Sequence, residues 1–396
     1  MERADLVIVG AGTIGGWASV FASAAGVGRV VVLERDLAGM GASSRAAGIV
    51  RAQGGTPATV ALGRWSIEFY RGQAAMYGTD SGFRELGYLI LAVTEEDERL
   101  GRERVSMQQA EGLDVRWLDA AEAAATVPTL AASGHRGGSY VATDGHIDPP
   151  RNVRAYSLAL QRAGVELHER TEFAGLRTAA GRVVSVDTSA GEIATERVIL
   201  TGGPSLRTVG ERAGLRIPAG AVRHTVAVTE PHPAFEGGSQ PMVFDIGEGL
   251  YWRQEEGGLL FGWSDPNDAP GIARSIDWAY YDAMRARLAA LAPVTKDLGL
   301  RRIWAATIDY TPDHLPIIGP GLDAGGTPIG GLTVASAGGH GMMWGPAVAR
   351  AAVDVALDGS TQLVDTTDLG LDRFDADGRS RLATDPIALP FPASTD

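Results

Sequence analysis

The fold is decided by residues 5–34, which read DLVIVGAGTIGGWASVFASAAGVGRVVVLE. Two apolar runs flank the turn Gly10-x-Gly12-x-x-Gly15 and an alanine-rich segment, and the second run ends at Glu34. This order predicts a strand, a tight turn, a helix and a second buried strand. Gly10 permits the turn, Gly12 lets the backbone approach a pyrophosphate, and Gly15 lets the helix pack on the strand.

The helix after this turn points its unpaired N–H groups at a phosphate. Glu34 follows Gly12 at the spacing of about 20 residues at which an acid accepts ribose hydroxyls. The turn alone does not separate FAD from NAD. We therefore predict a dinucleotide site formed by Gly10, Gly12, Ile14, Gly15, Glu34 and Arg35.

The composition limits the class of protein. The chain has 396 residues, of which 45% are hydrophobic and 21% charged, as expected for two globular domains. A net charge of −13 disfavours nucleic acid as a partner. The absence of cysteine excludes disulfides and thiolate chemistry. The seven histidines show no metal-ligand spacing, so we predict no metal site.

The apolar stretch over residues 6–33 has to be compared with a signal peptide or a membrane span. It is interrupted by glycines and contains Arg29, and no basic segment precedes it. We therefore predict a cytoplasmic protein without a membrane segment. No pattern in the sequence indicates an oligomeric state.

The order of patterns along the chain indicates one domain inserted into another. Residues 221–265 are rich in short β patterns, whereas the ends of the chain pair strands with helices. We predict an α/β (α+β) fold with a Rossmann-like nucleotide-binding domain and an inserted β-sheet substrate domain. The expected boundaries are 1–80, 145–222 and 315–375 for the first domain, 81–144 and 223–314 for the second, and 376–396 for a tail.

Four segments in this order resemble the D-amino-acid oxidase and glycine/sarcosine oxidase family. Within that family the β-subunit of heterotetrameric sarcosine oxidase and the dimethylglycine dehydrogenases are the most similar. The resemblance spans roughly residues 4–375. The segments are Gly10–Gly15 with Glu34, GASSRAAGIVR at 41–51, TPDHLPIIGP at 311–320, and ASAGGHGMMWGPAVARAAVDVALDG at 335–359.

The resemblance implies an extended FAD with the substrate above its flavin ring. It assigns the 41–51 loop to the pyrophosphate and flavin, Phe173 to the adenine and Gly202 to the nucleotide. It assigns the turn before the last helix to the pyrimidine side of the flavin, where a helix N-terminus favours negative charge. The further cofactor-binding residues implied are Ser43, Ser44, Arg45, Gly48, Ile49, Phe173, Gly202, Gly338, Gly339, His340, Gly341 and Met342.

The family's chemistry is the oxidation of amines. The resemblance implies that a hydride passes to flavin N5 from the carbon next to a secondary or tertiary amine nitrogen, giving an imine. Some relatives bond FAD to a histidine at the position of Arg45 or to a cysteine near Ala306, so we predict non-covalent FAD here. Gly258–Gly262 lacks the lysine that activates oxygen in monomeric sarcosine oxidases. The resemblance therefore leaves the electron acceptor open between O2 and another, unidentified compound.

Four residues are candidates for contact with a small-molecule amine substrate. Arg51 is suited to binding a carboxylate, although a salt bridge would explain it equally well. Tyr251 lies on a predicted strand of the inserted domain and is placed to cover the substrate, although a solvated sheet face is the simpler explanation. His314 and His340 flank the two C-terminal motifs, and a lone histidine is more often structural.

Three other functions stay open at this point. One is a non-catalytic or partner-dependent FAD-binding subunit of a larger oxidoreductase complex. The second is a flavin monooxygenase, which is expected to carry a Gly-Asp motif late in the chain. The third is an NAD-dependent dehydrogenase, which the glycine-rich turn at 338–341 disfavours.

Overall fold

The computed structural model describes residues 2–235 and 240–395. Short 3-10 turns lie at Gly203–Ser205, Pro233–Phe235, Pro293–Thr295 and Leu371–Arg373. Within the described residues there are eight α-helices: Thr13–Ala24, Pro57–Tyr77, Glu95–Ala110, Ala120–Thr126, Pro149–Arg162, Leu206–Arg212, Trp278–Leu291 and Gly345–Asp358.

The strands form two large sheets and one small sheet. Counted over the described residues, the first sheet has ten strands: Glu2–Arg3, Leu6–Val9, Val30–Leu33, Glu166–His168, Phe173–Ala179, Arg182–Thr188, Gly191–Ala194, Val198–Leu200, Ile317–Leu322 and Pro328–Ser336. The second has eight in the same part of the chain: Tyr88–Ala92, Arg116–Leu118, Gly137–Val141, Gly220–Thr229, Met242–Asp245, Tyr251–Glu255, Gly258–Trp263 and Leu300–Tyr310. The small sheet joins Ile49–Val50, Arg84–Glu85 and Gly145–His146.

The centre of the ten-stranded sheet is parallel. Leu6–Val9 lies between Val30–Leu33 and Val198–Leu200, with Val7 paired to Val31 on one side and to Val198 on the other. Parallel strands direct their carboxyl ends to the same edge, where ligands bind in open α/β sheets. Gly10, Glu34 and Gly202, which directly follow or lie just beyond these strands, therefore come together at one edge.

The first helix is held by contacts that its sequence permits. Gly16 faces the ring of Tyr156 so closely that an added Cβ would lie 2.5 Å from it. Trp17 is fully buried, and its indole N–H donates to Asn152 Oδ1 at 3.1 Å. The helix Pro149–Arg162, which carries Tyr156 and Asn152, thus fixes the helix that begins at the dinucleotide turn.

The eight-stranded sheet contains a strand that the sequence analysis does not predict. Leu300–Tyr310 pairs antiparallel with Gly220–Thr229 along its whole length, from Tyr310 opposite Gly220 to Leu300 opposite Thr229. The sequence LRRIWAATIDY has no regular alternation, so its strand character comes from the pairing and not from local pattern.

The segment predicted to be a tail is irregular, but it is not free in solution. Asp385 and Ile387 are buried, and Asp385 N donates to Asp313 O at 2.9 Å. The ring of Phe391 stacks on that of Tyr310 with their centroids 5.0 Å apart. These contacts are long-range in sequence, which is why the local composition of 376–396 indicates only a tail.

Candidate active site

One cavity extends from the dinucleotide turn to the face of the eight-stranded sheet. Its first end is lined by Gly10, Gly12 and Glu34, and its other end by Arg51 and Tyr251. A cavity at the carboxyl edge of a parallel sheet, bordered by a second domain, is the expected position of a cofactor and its substrate.

The turn that forms the first end requires glycine. Gly10 has φ +100°, and an added Cβ would lie 2.7 Å from Thr201 Oγ1. An added Cβ on Gly12 would lie 3.1 Å from Ser43 Oγ, so a side chain there would fill the space over the helix N-terminus. Ser43 Oγ also accepts a hydrogen bond from Thr13 N at 3.0 Å, which joins the 41–51 loop to this turn.

Glu34 shapes the ribose end of the cavity. Its Oε2 accepts a hydrogen bond from Ala11 N at 2.9 Å, and its Oε1 accepts one from Asp36 N at 2.9 Å. These bonds orient the carboxylate, and each oxygen keeps a second lone pair for a ribose hydroxyl. Arg35 and Phe173 line the same region.

The turn before the last helix forms the wall on the other side of the cavity. Gly338 and Gly339 have φ +54° and +89°, and the helix itself begins at Gly345. An added Cβ on Gly339 would lie 2.8 Å from the ring of Phe391. The sequence predicts a helix that starts at Met342, but residues 341–344 form a turn, so the helix starts three residues later.

Most residues predicted to bind the cofactor line this cavity. Two of the predicted residues, Ser44 and Gly338, are not among the described residues that line it. Ser44 faces a neighbouring groove, and Gly338 is buried behind the turn. The predicted residues that the structure brings together are Gly10, Gly12, Ile14, Gly15, Glu34, Arg35, Ser43, Arg45, Gly48, Ile49, Phe173, Gly202, Gly339, His340, Gly341 and Met342.

Arg51 lies inside the protein, with only 2% of its surface exposed. Its Nη2 donates to Ile387 O at 2.8 Å, its Nη1 donates to Gln53 O, and its guanidinium lies 6.0 Å from the ring centre of Tyr88. Burial raises the pKa of the neighbouring Asp144 to about 7, although hydrogen bonds and the charge of Arg51 oppose this effect. The hydrogen bonds that hold the guanidinium thus go to backbone carbonyl groups.

Tyr251 is joined to His224, a histidine that is not among the candidate residues predicted from the sequence. His224 Nε2 lies 2.7 Å from Tyr251 Oη, and His224 Nδ1 lies 2.9 Å from Ser264 Oγ. Burial lowers the pKa of His224 to about 4 and raises that of Tyr251 above its usual range. Tyr251 and His224 both line the cavity. The one available signal was that His224 lies on a predicted strand of the inserted domain.

The two other predicted histidines differ in position. His340 lines the cavity, and burial together with the charge of Arg51 lowers its pKa to about 3. Its Nδ1 lies 3.0 Å from Gly338 O. His314 is not among the described residues that line the cavity. Its ring packs edge-on against that of Phe391, with the ring centroids 4.9 Å apart. A direct role of His314 in catalysis therefore has no geometric support.

These residues fit a bound FAD. Gly10 and Gly12 present only backbone to the cavity, at the N-terminus of a helix that favours a phosphate. Arg45 and Arg274 both line the cavity, and burial together with the charge of Arg274 lowers the pKa of Arg45. The negative charge of a bound dinucleotide would therefore be electrostatically favoured in this cavity.

Two further features bear on the predictions. In the part of the chain that the structure describes, one group of side chains has the spacing of metal ligands, namely Glu2, Glu166 and His168. Arg29 forms ion pairs with both carboxylates, which explains why these acids lie together. Over residues 2–235 and 240–395, none of the helices combines the length and the apolar character that crossing a bilayer requires.

Comparison with known proteins identifies the family. The sequence model of the FAD dependent oxidoreductase (DAO) family matches residues 5–355. Glycine oxidase of Geobacillus kaustophilus is 30% identical over 80% of this chain and 84% of its own length. The 4-methylaminobutanoate oxidase (formaldehyde-forming) of Paenarthrobacter nicotinovorans is 29% identical over 78% of this chain, which spans only 38% of that longer protein.

Solved structures agree with this assignment. The L-proline dehydrogenase of P. horikoshii superimposes with a TM-score of 0.87 at 25% identity, covering 96% of this chain and all of that one. The structure of the Geobacillus glycine oxidase gives a TM-score of 0.81 at 27% identity, covering 95% of this chain and all of that one. The predicted α/β fold with a Rossmann-like FAD domain is thereby confirmed, and the chain belongs to the DAO family of FAD-dependent oxidoreductases.

Proposed function

We propose that this oxidoreductase acts on a small amine or amino acid and removes a hydride from the carbon next to a secondary or tertiary amine nitrogen. The observation that carries the proposal is the continuous cavity from the Gly10–Gly15 turn to Tyr251 and Arg51. Bound FAD would supply the hydride acceptor at N5. The names of the relatives, which denote oxidation of glycine and 4-methylaminobutanoate, support an amine as substrate.

The charges at the substrate end favour an unprotonated amine. Tyr251 and His224 are both held in their neutral forms by burial. The guanidinium of Arg51 is a cation. A substrate ammonium group would meet this cation in a site withdrawn from water, which raises its free energy relative to the neutral amine. The neutral amine is the form from which a hydride can leave.

Arg51 is suited to a carboxylate on the same substrate. A guanidinium has five N–H donors, and the structure engages two nitrogens with Gln53 O and Ile387 O. The remaining donors can bind an anion, with a geometry fixed by these two bonds. Binding of a carboxylate here would hold the amine end near Tyr251, so the expected substrate is an amino acid with a substituted nitrogen.

The pair of Tyr251 and His224 would orient the amine. Neutral imidazole offers one donor and one acceptor, so Ser264 Oγ, His224 and Tyr251 Oη form a chain with a single direction at any moment. Tyr251 Oη can then donate to the amine nitrogen or accept from its N–H group. Because burial keeps both groups neutral, the pair acts through hydrogen bonds and not by transferring a proton.

Anaerobic titration of the FAD-loaded protein tests this function. We expect N-methylglycine, N,N-dimethylglycine, L-proline or 4-methylaminobutanoate to bleach the visible flavin absorbance. Glycolate and 4-hydroxybutanoate are matched controls, because they keep the carboxylate and replace the amine by a hydroxyl group. Bleaching by the hydroxy acids, or by no compound of either set, would contradict the proposal.

Three finer points belong to the same experiment. Admitting oxygen to the bleached protein shows whether O2 is the electron acceptor, because rapid return of the flavin bands requires it. Acid precipitation tests whether the flavin is bound non-covalently. Arg45 and Ala306 cannot form the covalent flavin bonds that histidine or cysteine would form, so free flavin should remain in the supernatant. We also propose a cytoplasmic location, and a division into two domains at the sequence-derived boundaries.

The partner-dependent alternative is distinguishable from an independent enzyme. A relative named sarcosine oxidase subunit beta, from Rhodobacter capsulatus, is 25% identical over 84% of this chain and 80% of its own length. That name supports a subunit as a second candidate. If amines bleach the purified chain but reoxidation is slow with both O2 and a soluble dye, electrons leave through a partner.

A further inference from the structure

We infer that the C-terminal segment Asp385–Phe391 is the specificity-determining wall of the substrate pocket, and that Ile387 and Leu389 contact the apolar part of the substrate. This inference rests on the proposed function for the class of ligand. The segment lies beyond residues 5–355, which the family model matches. It is therefore a feature of this chain that family membership does not assign.

The position of the wall follows from its contacts with the cavity. The side chains of Ile387 and Leu389 line the cavity together with Tyr251. Ile387 is completely buried and belongs to the same apolar cluster as Tyr88 and Phe244, on the face of the eight-stranded sheet. The wall is thus at the end of the cavity that Arg51 and Tyr251 line.

The backbone of the wall fixes Arg51. Ile387 O accepts a hydrogen bond from Arg51 Nη2 at 2.8 Å. Asp385 Oδ1 accepts one from Ile387 N at 3.0 Å, which makes a tight turn that directs this carbonyl group toward the guanidinium. One segment therefore supplies an apolar surface and orients the cation beside it, so the substrate is expected to carry both an anionic and an apolar group.

Both ends of the wall are anchored. At the first end, Asp385 N donates to Asp313 O at 2.9 Å. At the other end, Phe391 stacks on Tyr310, and Pro390 lies so close to Gly249 that an added Cβ would be 2.3 Å from its ring. Anchors on both sides make this segment a fixed surface, and a fixed surface selects ligands by size.

The experiment uses variants that shorten the wall side chains and keep its backbone. Ile387→Ala and Leu389→Ala enlarge the pocket. Ile387→Val enlarges it less, and it serves as the test variant if Ile387→Ala does not fold. Ile193→Ala is the matched control, because Ile193 is also a buried isoleucine and belongs to a different core cluster. Each FAD-loaded protein is titrated with (methylthio)acetate and (benzylthio)acetate, and binding is followed by the change in visible flavin absorbance.

These probes keep the carboxylate and replace the amine nitrogen by sulfur, so they bind without forming an imine. We expect the preference for the benzyl over the methyl compound to rise about ten-fold or more in Ile387→Ala or Leu389→Ala, and less in Ile387→Val. The preference of Ile193→Ala should equal that of the unmodified protein.

An unchanged preference in all wall variants would overturn the inference, and so would an equal change in Ile193→Ala. Failure of both probes to perturb the flavin of the unmodified protein would overturn it as well, because the wall would then contact no such ligand. Bleaching by amines is measured separately. If the variants shift the preference but amines do not bleach the flavin, the inference about the wall is supported and the proposed function is contradicted.

Discussion

Replacing Arg373 by methionine should destabilise the protein strongly, because it leaves a buried carboxylate without its partner. Arg373 Nε donates to Asp313 Oδ2 at 2.7 Å and Nη2 donates to Oδ1 at 3.1 Å, and the two side chains are 0% and 1% exposed. Removing one member of such a pair costs about 3–5 kcal/mol. The carbonyl groups of Leu369 and Leu315 lose donors as well.

The expected loss is measured by urea denaturation of the FAD-loaded protein, followed by tryptophan fluorescence. Arg381→Met is the matched control, since Arg381 pairs with Asp368 at 2.8 Å but both side chains are about half exposed. A surface pair of this kind contributes about 0–1 kcal/mol. An equal loss of unfolding free energy in Arg373→Met and Arg381→Met would contradict this expectation.

The same pair predicts a change with pH. Burial alone would raise the pKa of Asp313, and the hydrogen bonds and charge of Arg373 outweigh it, so that the pKa lies below its usual value. The ionised form therefore stabilises the fold above about pH 4, and this contribution is lost as the pH falls through the lower folded pKa. In Arg373→Met the pKa of Asp313 should rise, and less stability should be lost on acidification.

Other variants test the site itself. Gly10→Ala should weaken FAD retention and lower the free energy of unfolding by about 1–3 kcal/mol, because residue 10 has φ +100° and its new Cβ would collide with Thr201. Thermal melting with and without FAD measures both effects. Tyr251→Phe should cost about 1–3 kcal/mol, since His224 loses its 2.7 Å partner, and unchanged stability would argue against that bond. The pKa of His224 is 6.5 in the unfolded chain and about 4 in the folded protein, so the unfolded chain binds one more proton between these pH values. The free energy of unfolding therefore falls as the pH decreases from 6.5 to 4. In His224→Asn this dependence should be weaker by about 1.4 kcal/mol per pH unit.

The prediction of the fold from sequence succeeded where the signal is local. Apolar residues at helical spacing predict a helix over 56–77, which is observed as Pro57–Tyr77. The sequence also predicts a strand over 182–188, which is observed as Arg182–Thr188. Capping explains the first: Thr56 accepts a hydrogen bond from Thr59 N, and Pro57 occupies the first helical position. Such signals depend on neighbours within one turn, so a single sequence contains them.

The turn at Gly10–Gly15 and the acid at Glu34 can be predicted from local sequence, because steric limits on the backbone and the spacing of one strand and helix fix both. The contact of His224 with Tyr251 cannot, nor can that of Ile387 with Arg51, which are separated by 336 residues in the chain. These pairs depend on which strands and segments pack together over long loops. No local rule encodes that choice, since the free energy of burial depends on partners that are distant in the chain.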